Sequence, residues 1–244
     1  MPVLSALCSL FGEFLFTQLS VWHPHMSQIF LLTIRGTLAP LSLEAARQVH
    51  NQTAGAPEGV AAARSLGDLS HMVYIPANQE YGELFIMDLW TSPTGLTQFF
   101  SDPQVQQGAT MIFTQRDPVV WAPAEGFFTY HLPAPTGHND RYIGVIRGTV
   151  ALREQARTTM NAIASQGLQK ARKLGNLSHE AYFRLRPPGS PESLELLGVD
   201  VWTNLEGMNE YYSDPDFNHA FDGFYTSEPS TLVLKHPAGE WVEW

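Results

Sequence analysis

The sequence repeats itself, and the repeat limits what the chain can fold into. Asp88-Leu89-Trp90-Thr91, followed by Ser101-Asp102-Pro103, returns as Asp200-Val201-Trp202-Thr203, followed by Ser213-Asp214-Pro215; from 88 to 200 and from 101 to 213 the shift is 112. Arg35-Gly36-Thr37 returns as Arg147-Gly148-Thr149 with the same shift. Leu66-Gly67-Asp68-Leu69-Ser70-His71 returns as Leu174-Gly175-Asn176-Leu177-Ser178-His179 with a shift of 108 (66 to 174). The first copy is therefore four residues longer ahead of its His, near Gly55-Ala56-Pro57. The second regains four around Pro187-Pro188-Gly189-Ser190-Pro191. Four anchors in one order indicate a tandem duplication, and 244 residues divide into two units of ordinary domain size.

The first unit opens on Ile29–Thr37, a run of β-formers. Ser42 is placed as an N-cap ahead of Leu43, Ala46 and Val49 at helical spacing. A second helical piece covers 58–66 and ends at Gly67. Strands are expected over 69–75 and 83–91, and a helix from Ser92-Pro93 that breaks at Ser101-Asp102-Pro103 and resumes to about Phe113. A fourth strand is expected over 119–122, and a fifth over 127–131, matching Trp241–Trp244. Each unit thus reads β-α-β-β-α-β, the ferredoxin-like pattern. The fold class is α+β, with residues 1–27 as an N-terminal extension, 28–131 as the first repeat, 132–139 as a Pro- and Gly-rich linker and 140–244 as the second repeat.

Charge and cysteine content remove several classes of function. The formal net charge is −10 with no basic stripe, so nucleic acid, whose phosphates need clustered Lys and Arg, is not an expected partner. The only cysteine is Cys8, which rules out an intrachain disulfide and a Cys-based metal site. A reducing, cytoplasmic location fits that usage. The apolar stretch Val3–Phe16 lacks the positive n-region of a signal peptide and is interrupted by Glu13, so no membrane span is expected. Met26 is an alternative start. His23, His25, His50, His131, His138 and His236 show no metal-ligand spacing. There is no phosphate loop, dinucleotide fingerprint or nucleophile elbow.

A strand order of 4-1-3-2, with strands one and three as parallel neighbours, would bring Arg35, His71, Asp88 and Trp90 to one end of the sheet. Arg147, His179, Asp200 and Trp202 would gather likewise in the second copy. Side-chain alternation places Phe85, Met87 and Leu89 under the helices. It puts Asp88 with Trp90, and Asp200 with Trp202, on the opposite face beside Tyr74 or Tyr182. A cavity is expected in each half, walled by Trp90 and Tyr74 in one and by Trp202 and Tyr182 in the other. The second is the more polar through Glu180 and Arg184.

The Asp-x-Trp-Thr strand, the following helix and the Ser-Asp-Pro break resemble the antibiotic biosynthesis monooxygenase-like family of the dimeric α+β barrel superfamily. Asp88, Trp90, Ser92, Ser101 and Pro103 carry the resemblance in one copy, and Asp200, Trp202, Ser213 and Pro215 in the other. The resemblance implies a barrel of two facing units, built here from the two halves of one chain as an intramolecular pseudo-dimer; a further homodimer stays open. Where relatives often carry a helical His, this chain has Phe99-Phe100 and Tyr211-Tyr212. The position of the haem-degrading branch's His falls on Gly108 or Ala220, with His219 one residue off. No haem ligand and no cofactor are expected.

The resemblance further implies a cofactor-independent monooxygenase-like oxidoreductase acting on a small aromatic or polyketide-like molecule, whose own carbanion activates oxygen. His71/His179 or Arg35/Arg147 would hold the enolate or phenolate. The alternative is a non-catalytic small-molecule-binding or stress-associated barrel. Residue by residue, two readings stand. Arg35 with Asp88, and Arg147 with Asp200, form either an anion clamp or strand-stitching ion pairs. His71 and His179 are either acid–base groups or backbone ties. Tyr74, Trp90, Tyr182 and Trp202 either line a ligand cavity or fill the core. Because neither repeat needs the extension to complete its pattern, deleting residues 1–25 is expected to leave the thermal midpoint unchanged. A large drop would show that this segment packs into the core.

Overall fold

The computed structural model describes residues 28–79, 81–132 and 141–244; the N-terminal extension and positions 133–139 of the linker lie outside the described residues. The first half runs β1 (Phe30–Leu38), α1 (Leu43–Gln52), α2 (Pro57–Ser65), β2 (Asp68–Pro76), β3 (Glu83–Trp90), α3 (Pro93–Phe100), α4 (Pro103–Ile112) and β4 (Phe113–Pro123). A two-residue strand, β5 (Tyr130–His131), follows. The second half runs β6 (Tyr142–Thr149), α5 (Arg153–Lys173), β7 (Asn176–Arg184), β8 (Glu195–Trp202), α6 (Leu205–Tyr212), α7 (Pro215–Ala220) and β9 (Ser230–Lys235). Among the described residues no helix is long and apolar enough to cross a membrane.

The recurring sequence signals have local causes. Ser42 caps α1 by accepting from the Ala45 N–H, and Ser92 caps α3 by accepting from the Gly95 N–H. In Ser-Asp-Pro the Ser closes one helix, the Asp caps the next, and the Pro occupies its first turn, where no intrahelical N–H bond is lost. Gly67 and Gly175 follow helix ends with φ of +103° and +101°, which a side chain would resist. The Gly55-Ala56-Pro57 insertion splits the first crossover into α1 and α2, whereas the second crossover is one 21-residue helix.

The strands form one antiparallel sheet in the order β4-β1-β3-β2-β9-β6-β8-β7, and β4 also pairs with β7, so the sheet closes; β5 adds to β7. The two half-sheets meet edge to edge at β2–β9, through Ile75 and Pro76, and at β4–β7, through Trp121, Ala122 and Pro123. Helices lie outside. Leu31, Tyr74, Phe85, Val119, Trp121, Ile143, Val145, Tyr182, Leu197 and Leu234 fill the interior. There the Trp121 indole N–H donates to Thr33 Oγ1 at 2.8 Å.

Four expectations are corrected. Strands β1 and β3 are antiparallel, with Phe30 opposite Trp90 and Arg35 opposite Phe85. The helical crossover makes β1 and β2 run the same way, and the β2–β3 hairpin then reverses β3 against both. Arg35 and Arg147 therefore sit at the far end of the sheet from Asp88 and Asp200. The faces are also exchanged. Leu84, Ile86 and Trp90 pack with the helix residues Ala46, Ala63 and Leu96, while Phe85, Met87 and Leu89 point into the barrel. A closed, filled barrel is apolar on both faces of each strand, so apolar alternation alone does not mark which face the helices cover. Strand β4 is also longer than expected. Residues 241–244 form no strand, although Trp244 and His71 exchange backbone N–H···O bonds.

Helix α3 in one half and α6 in the other approach the preceding crossover closely. A Cβ on Gly95 would lie 1.9 Å from the Leu66 carbonyl oxygen, and one on Gly207 would lie 1.9 Å from that of Leu174. Gly95→Ala and Gly207→Ala are each expected to cost ~1–3 kcal/mol or more, as overpacked sites do. Equal midpoints for variant and parent in chemical denaturation would contradict this.

Candidate active site

The helix-facing core is built differently in the two halves. In the first half, one continuous cluster runs from Leu32 through Trp90 to Trp241. In the second, the core is split. One cluster gathers around Met160, Phe183 and Leu196, and another around Trp202, Met208 and Tyr211. Both contribute walls to a cavity of about 640 Å³ between α5, strands β6 and β8, and the α6–α7 region.

Each half carries the same polar pair beneath its helices. In β2 and β7 a register shift falls just before the His, between Asp68 and Ser70 and between Asn176 and Ser178, after which His71 faces Asp88 and His179 faces Asp200. His71 Nδ1 lies 2.7 Å from Asp88 Oδ1, and His179 Nδ1 lies 2.7 Å from Asp200 Oδ1. Burial pulls both imidazoles down, but the charge and hydrogen bond of the facing carboxylate outweigh it, and both end above the ordinary histidine value.

In the first half the outer nitrogen is occupied. His50, from α1, places Nε2 2.9 Å from His71 Nε2. Asn51 fixes the tautomers. Its Nδ2 donates to the Glu240 carbonyl at 2.8 Å, and its Oδ1 accepts from the Val242 N–H at 3.0 Å. His50 Nδ1, 3.0 Å from the same Oδ1, must therefore donate. A neutral His50 then has only an acceptor at Nε2, so His71 donates there as well as to Asp88 and is an imidazolium. Burial, followed by the neighbouring His71 charge, drives His50 down to about 4, which keeps it neutral. Burial and the Asp88 charge push Asp68 up to about 7. The Trp244 ring stacks on His71 at 4.6 Å, and Trp241 lies against His50 at 5.1 Å. Residues 240–244 of the second half thus plug this place in the first.

In the second half the outer nitrogen faces the cavity. His179 Nε2 is buried and has no hydrogen-bond partner among the described residues; the same is true of Trp202 Nε1 and the Tyr225 hydroxyl. All three residues line the cavity. The 112-residue offset sets Ala162 against His50, and the neighbouring Ile163 and Ala164 line the open space. β5 crosses over in the manner of the C-terminal tail, with Tyr130 paired to His179 and its ring 6.3 Å away. The second oxygen of Asp200 accepts from the Tyr212 hydroxyl at 2.5 Å. The walls are largely aromatic and aliphatic. Among the described residues the carboxylates lining the cavity are Asp200, Asp222 and Glu228, and no Lys or Arg lines it.

The remaining expected site residues lie elsewhere. Arg35 pairs with Glu83 at 2.9 Å, and Arg147 with Glu195 at 2.6 Å and Asp117 at 2.7 Å; neither pairs with Asp88 or Asp200. Tyr74 and Tyr182 face the barrel interior and a separate cavity of about 350 Å³, where the Tyr182 hydroxyl donates to Glu180. The expected pairings of Tyr74 with Trp90 and of Tyr182 with Trp202 are therefore corrected: sheet strands separate the members of each pair. Trp90 is fully buried against Phe99 and Phe100 in a filled core, and Trp202 is equally buried at the cavity wall. His219 is exposed and pairs with Asp222. Sequence reasoning missed His50, Asn51, Tyr130, Trp244 and the role of Tyr212. The signal available for Tyr212 was a hydroxyl present in one copy and absent from Phe100 in the other. Among the described residues no three His, Cys, Asp or Glu side chains are grouped to hold a metal.

No protein-family model matches the chain, and no curated protein matches it in sequence. Solved structures do match its fold. A protein proposed to be a monooxygenase from Lactobacillus acidophilus NCFM superposes with a TM-score of 0.57 at 10% identity, covering 85% of this chain and 93% of that one. A second, from Fusobacterium nucleatum, gives 0.58 at 8%, covering 86% and 93%. An anthrone oxidase-like protein gives 0.60 at 13%, covering 89% and 94%. At these identities the likeness establishes the fold alone, an α+β fold built on a large antiparallel sheet.

The pair in the first half makes stability depend on pH. His71 has a folded value above its unfolded one. Its contribution is therefore fully present below about 6.5 and is lost as pH rises through the higher folded value. Asp88→Asn is expected to cost ~3–5 kcal/mol at pH 6, as removal of one member of a buried pair does, and to flatten the part of the alkaline decline due to His71. Urea denaturation of parent and variant across pH 6–9 measures both effects.

Proposed function

We propose that the chain is a tandem pair of ferredoxin-like units, residues 28–131 and 140–244, of antibiotic biosynthesis monooxygenase-like type. The two units close into an intramolecular α+β barrel, a cytoplasmic pseudo-dimer. We propose that its second half is a cofactor-independent monooxygenase-like oxidoreductase site for a small aromatic or polyketide-like molecule. One observation carries the reading: His179 Nε2, backed by Asp200 and buried, meets no partner among the described residues and opens on an apolar, aromatic cavity. The monooxygenase and anthrone oxidase-like proteins that share the fold support it.

The chemistry follows from that nitrogen. Neutral His179 takes a proton from a carbon or hydroxyl made acidic by a conjugated carbonyl. The imidazolium so formed lies between Asp200 and the new enolate or phenolate, which it holds by charge and by a hydrogen bond. The electron-rich carbanion then reduces oxygen. For a methylene flanked by aryl rings the balance is R₂CH₂ + O₂ → R₂C=O + H₂O, with both electron pairs supplied by the substrate. The acidic lining disfavours a carboxylate substrate. Because His179 titrates above its ordinary value, kcat/KM is expected to rise with pH through a midpoint above about 6.5.

Oxygen uptake with an anthrone-type tricyclic ketone tests the reading. Turnover is expected from the parent, and His179→Ala is expected to lower it by about 10²–10⁴-fold. Saturable binding of the ketone without oxygen uptake would instead make the protein a ligand-binding barrel. Neither binding nor uptake would remove this substrate class.

A further inference from the structure

The two halves differ at a pair of positions that face each other across the helix–sheet boundary. Cross-strand register sets Leu32 opposite Asp88 in the first half and Gly144 opposite Asp200 in the second. From 32 to 144 and from 100 to 212 the offset is again 112, so Leu32 and Phe100 correspond to Gly144 and Tyr212. Phe100 and Tyr212 pack against the equivalent tryptophans in similar ways. The ring centroids are 6.2 Å apart for Phe100 and Trp90 and 5.6 Å for Tyr212 and Trp202. The gain in the second half is a hydroxyl, together with the room for it. A Cβ on Gly144 would lie 3.0 Å from the Tyr212 hydroxyl oxygen and 3.2 Å from its ring, so the larger Leu32 side chain would clash there. The two changes are matched, and both serve one hydrogen bond, from Tyr212 to Asp200 Oδ2 at 2.5 Å.

We propose that Tyr212, admitted by Gly144, is a positioning residue of the second-half site: it holds Oδ2 of Asp200, so that Oδ1 stays on His179 Nδ1 and Nε2 stays aimed into the cavity. Asp200 then cannot swing toward the open space. Burial and the Asp200 charge raise the Tyr212 phenol well above its ordinary range, so it remains a donor. The filled first half needs no such restraint, because His50 already fixes His71 from the other side. The inference deepens the reading of this cavity as a site, but its test needs no substrate.

The groups that face His179 are Asp200 from β8, Glu180 on its own strand, Tyr130 from β5 with the Arg172 guanidinium over its ring, and, around Asp200, Tyr211, Tyr212 and Tyr225. Tyr212→Phe changes only one of them and leaves a residue that the first half already accommodates. The ring signals of His179 are followed by NMR across pH in the full chain, without ligand. The Tyr212→Phe midpoint is expected to fall by about half a unit or more, because an Asp200 carboxylate no longer held at Oδ2 leaves Nδ1 and stabilises the imidazolium less. An unchanged or raised midpoint overturns the proposal. Should Tyr212→Phe not fold, Gly144→Leu gives the answer by the same criterion, since the side chain that the first half carries there crowds the hydroxyl off Asp200. A downward shift in a protein that shows no oxygen uptake would keep the positioning role and discard the reaction. Oxygen uptake with an unmoved midpoint would do the reverse.

Discussion

Each half-sheet has two free edges, and the structure depends on pairing all four. β2 joins β9 and β4 joins β7, so no edge is left with a long row of unpaired backbone groups. Closure also creates the interior in which Tyr74, Phe85, Trp121, Tyr182 and Leu197 are buried. The join is reinforced outside the barrel by an exchange. β5, which ends the first half, pairs with β7 of the second, and Trp244, which ends the second, pairs with the backbone of His71 in the first. Each half thus delivers an aromatic side chain to the other's histidine, and the two barrel seams and the two polar pairs are held by the same connections.

That exchange has different consequences on the two sides. In the first half Trp241 and Trp244 arrive together with His50 and Asn51. Both ring nitrogens of His71 are engaged, and the tail's aromatic rings pack over the pair. A buried pair left unsatisfied would be a liability; here Asn51 and the Glu240 and Val242 backbone complete it. In the second half the crossover is one unbroken helix with Ala162 at the position equivalent to His50, and the Tyr130 ring lies 6.3 Å from His179. The four-residue insertion near Gly55, visible as an offset change between anchors, is thus the sequence trace of a structural divergence. It breaks the first crossover into two helices.

Much of the architecture is legible because its causes are local. The Ser-Asp-Pro motif is a helix stop, a cap and a helix start in three consecutive residues, and the Leu-Gly anchors mark helix ends at positive φ. The His and Asp of each half could be picked out as a recurring set. Their direct facing, however, depends on a register shift at Ser70 and Ser178 that simple alternation does not contain. Strand direction is decided by the crossover rather than by adjacency in the sheet, which places Arg35 and Arg147 at the opposite end from Asp88 and Asp200. The inside and outside of the sheet could not be told apart, since Phe85 and Ile86 are equally apolar and equally buried on opposite faces. His50 and the C-terminal tail reach His71 from 21 and more than 170 positions away, with no spacing rule to announce them.

The first half also shows what the second requires of a ligand. His71, held by Asp88 at Nδ1, directs a proton at an acceptor 2.9 Å from Nε2, and that acceptor is the bare nitrogen of a neutral His50. The same dyad in the second half directs Nε2 at open space lined by Tyr130, Tyr211 and Trp202. A ligand that completes it must therefore offer a proton to the neutral imidazole and leave an acceptor facing the imidazolium once that proton has moved. An enolate or phenolate oxygen is a stronger acceptor than an imidazole nitrogen, and it gains from the positive charge that Asp200 stabilises on His179. The Tyr225 hydroxyl, buried and unpartnered among the described residues, offers one more donor to an oxygen farther along the same molecule. On the function proposed above, a flat oxygenated aromatic suits these groups and the aromatic walls, whereas an aliphatic acid would match neither and would be repelled by Asp222 and Glu228.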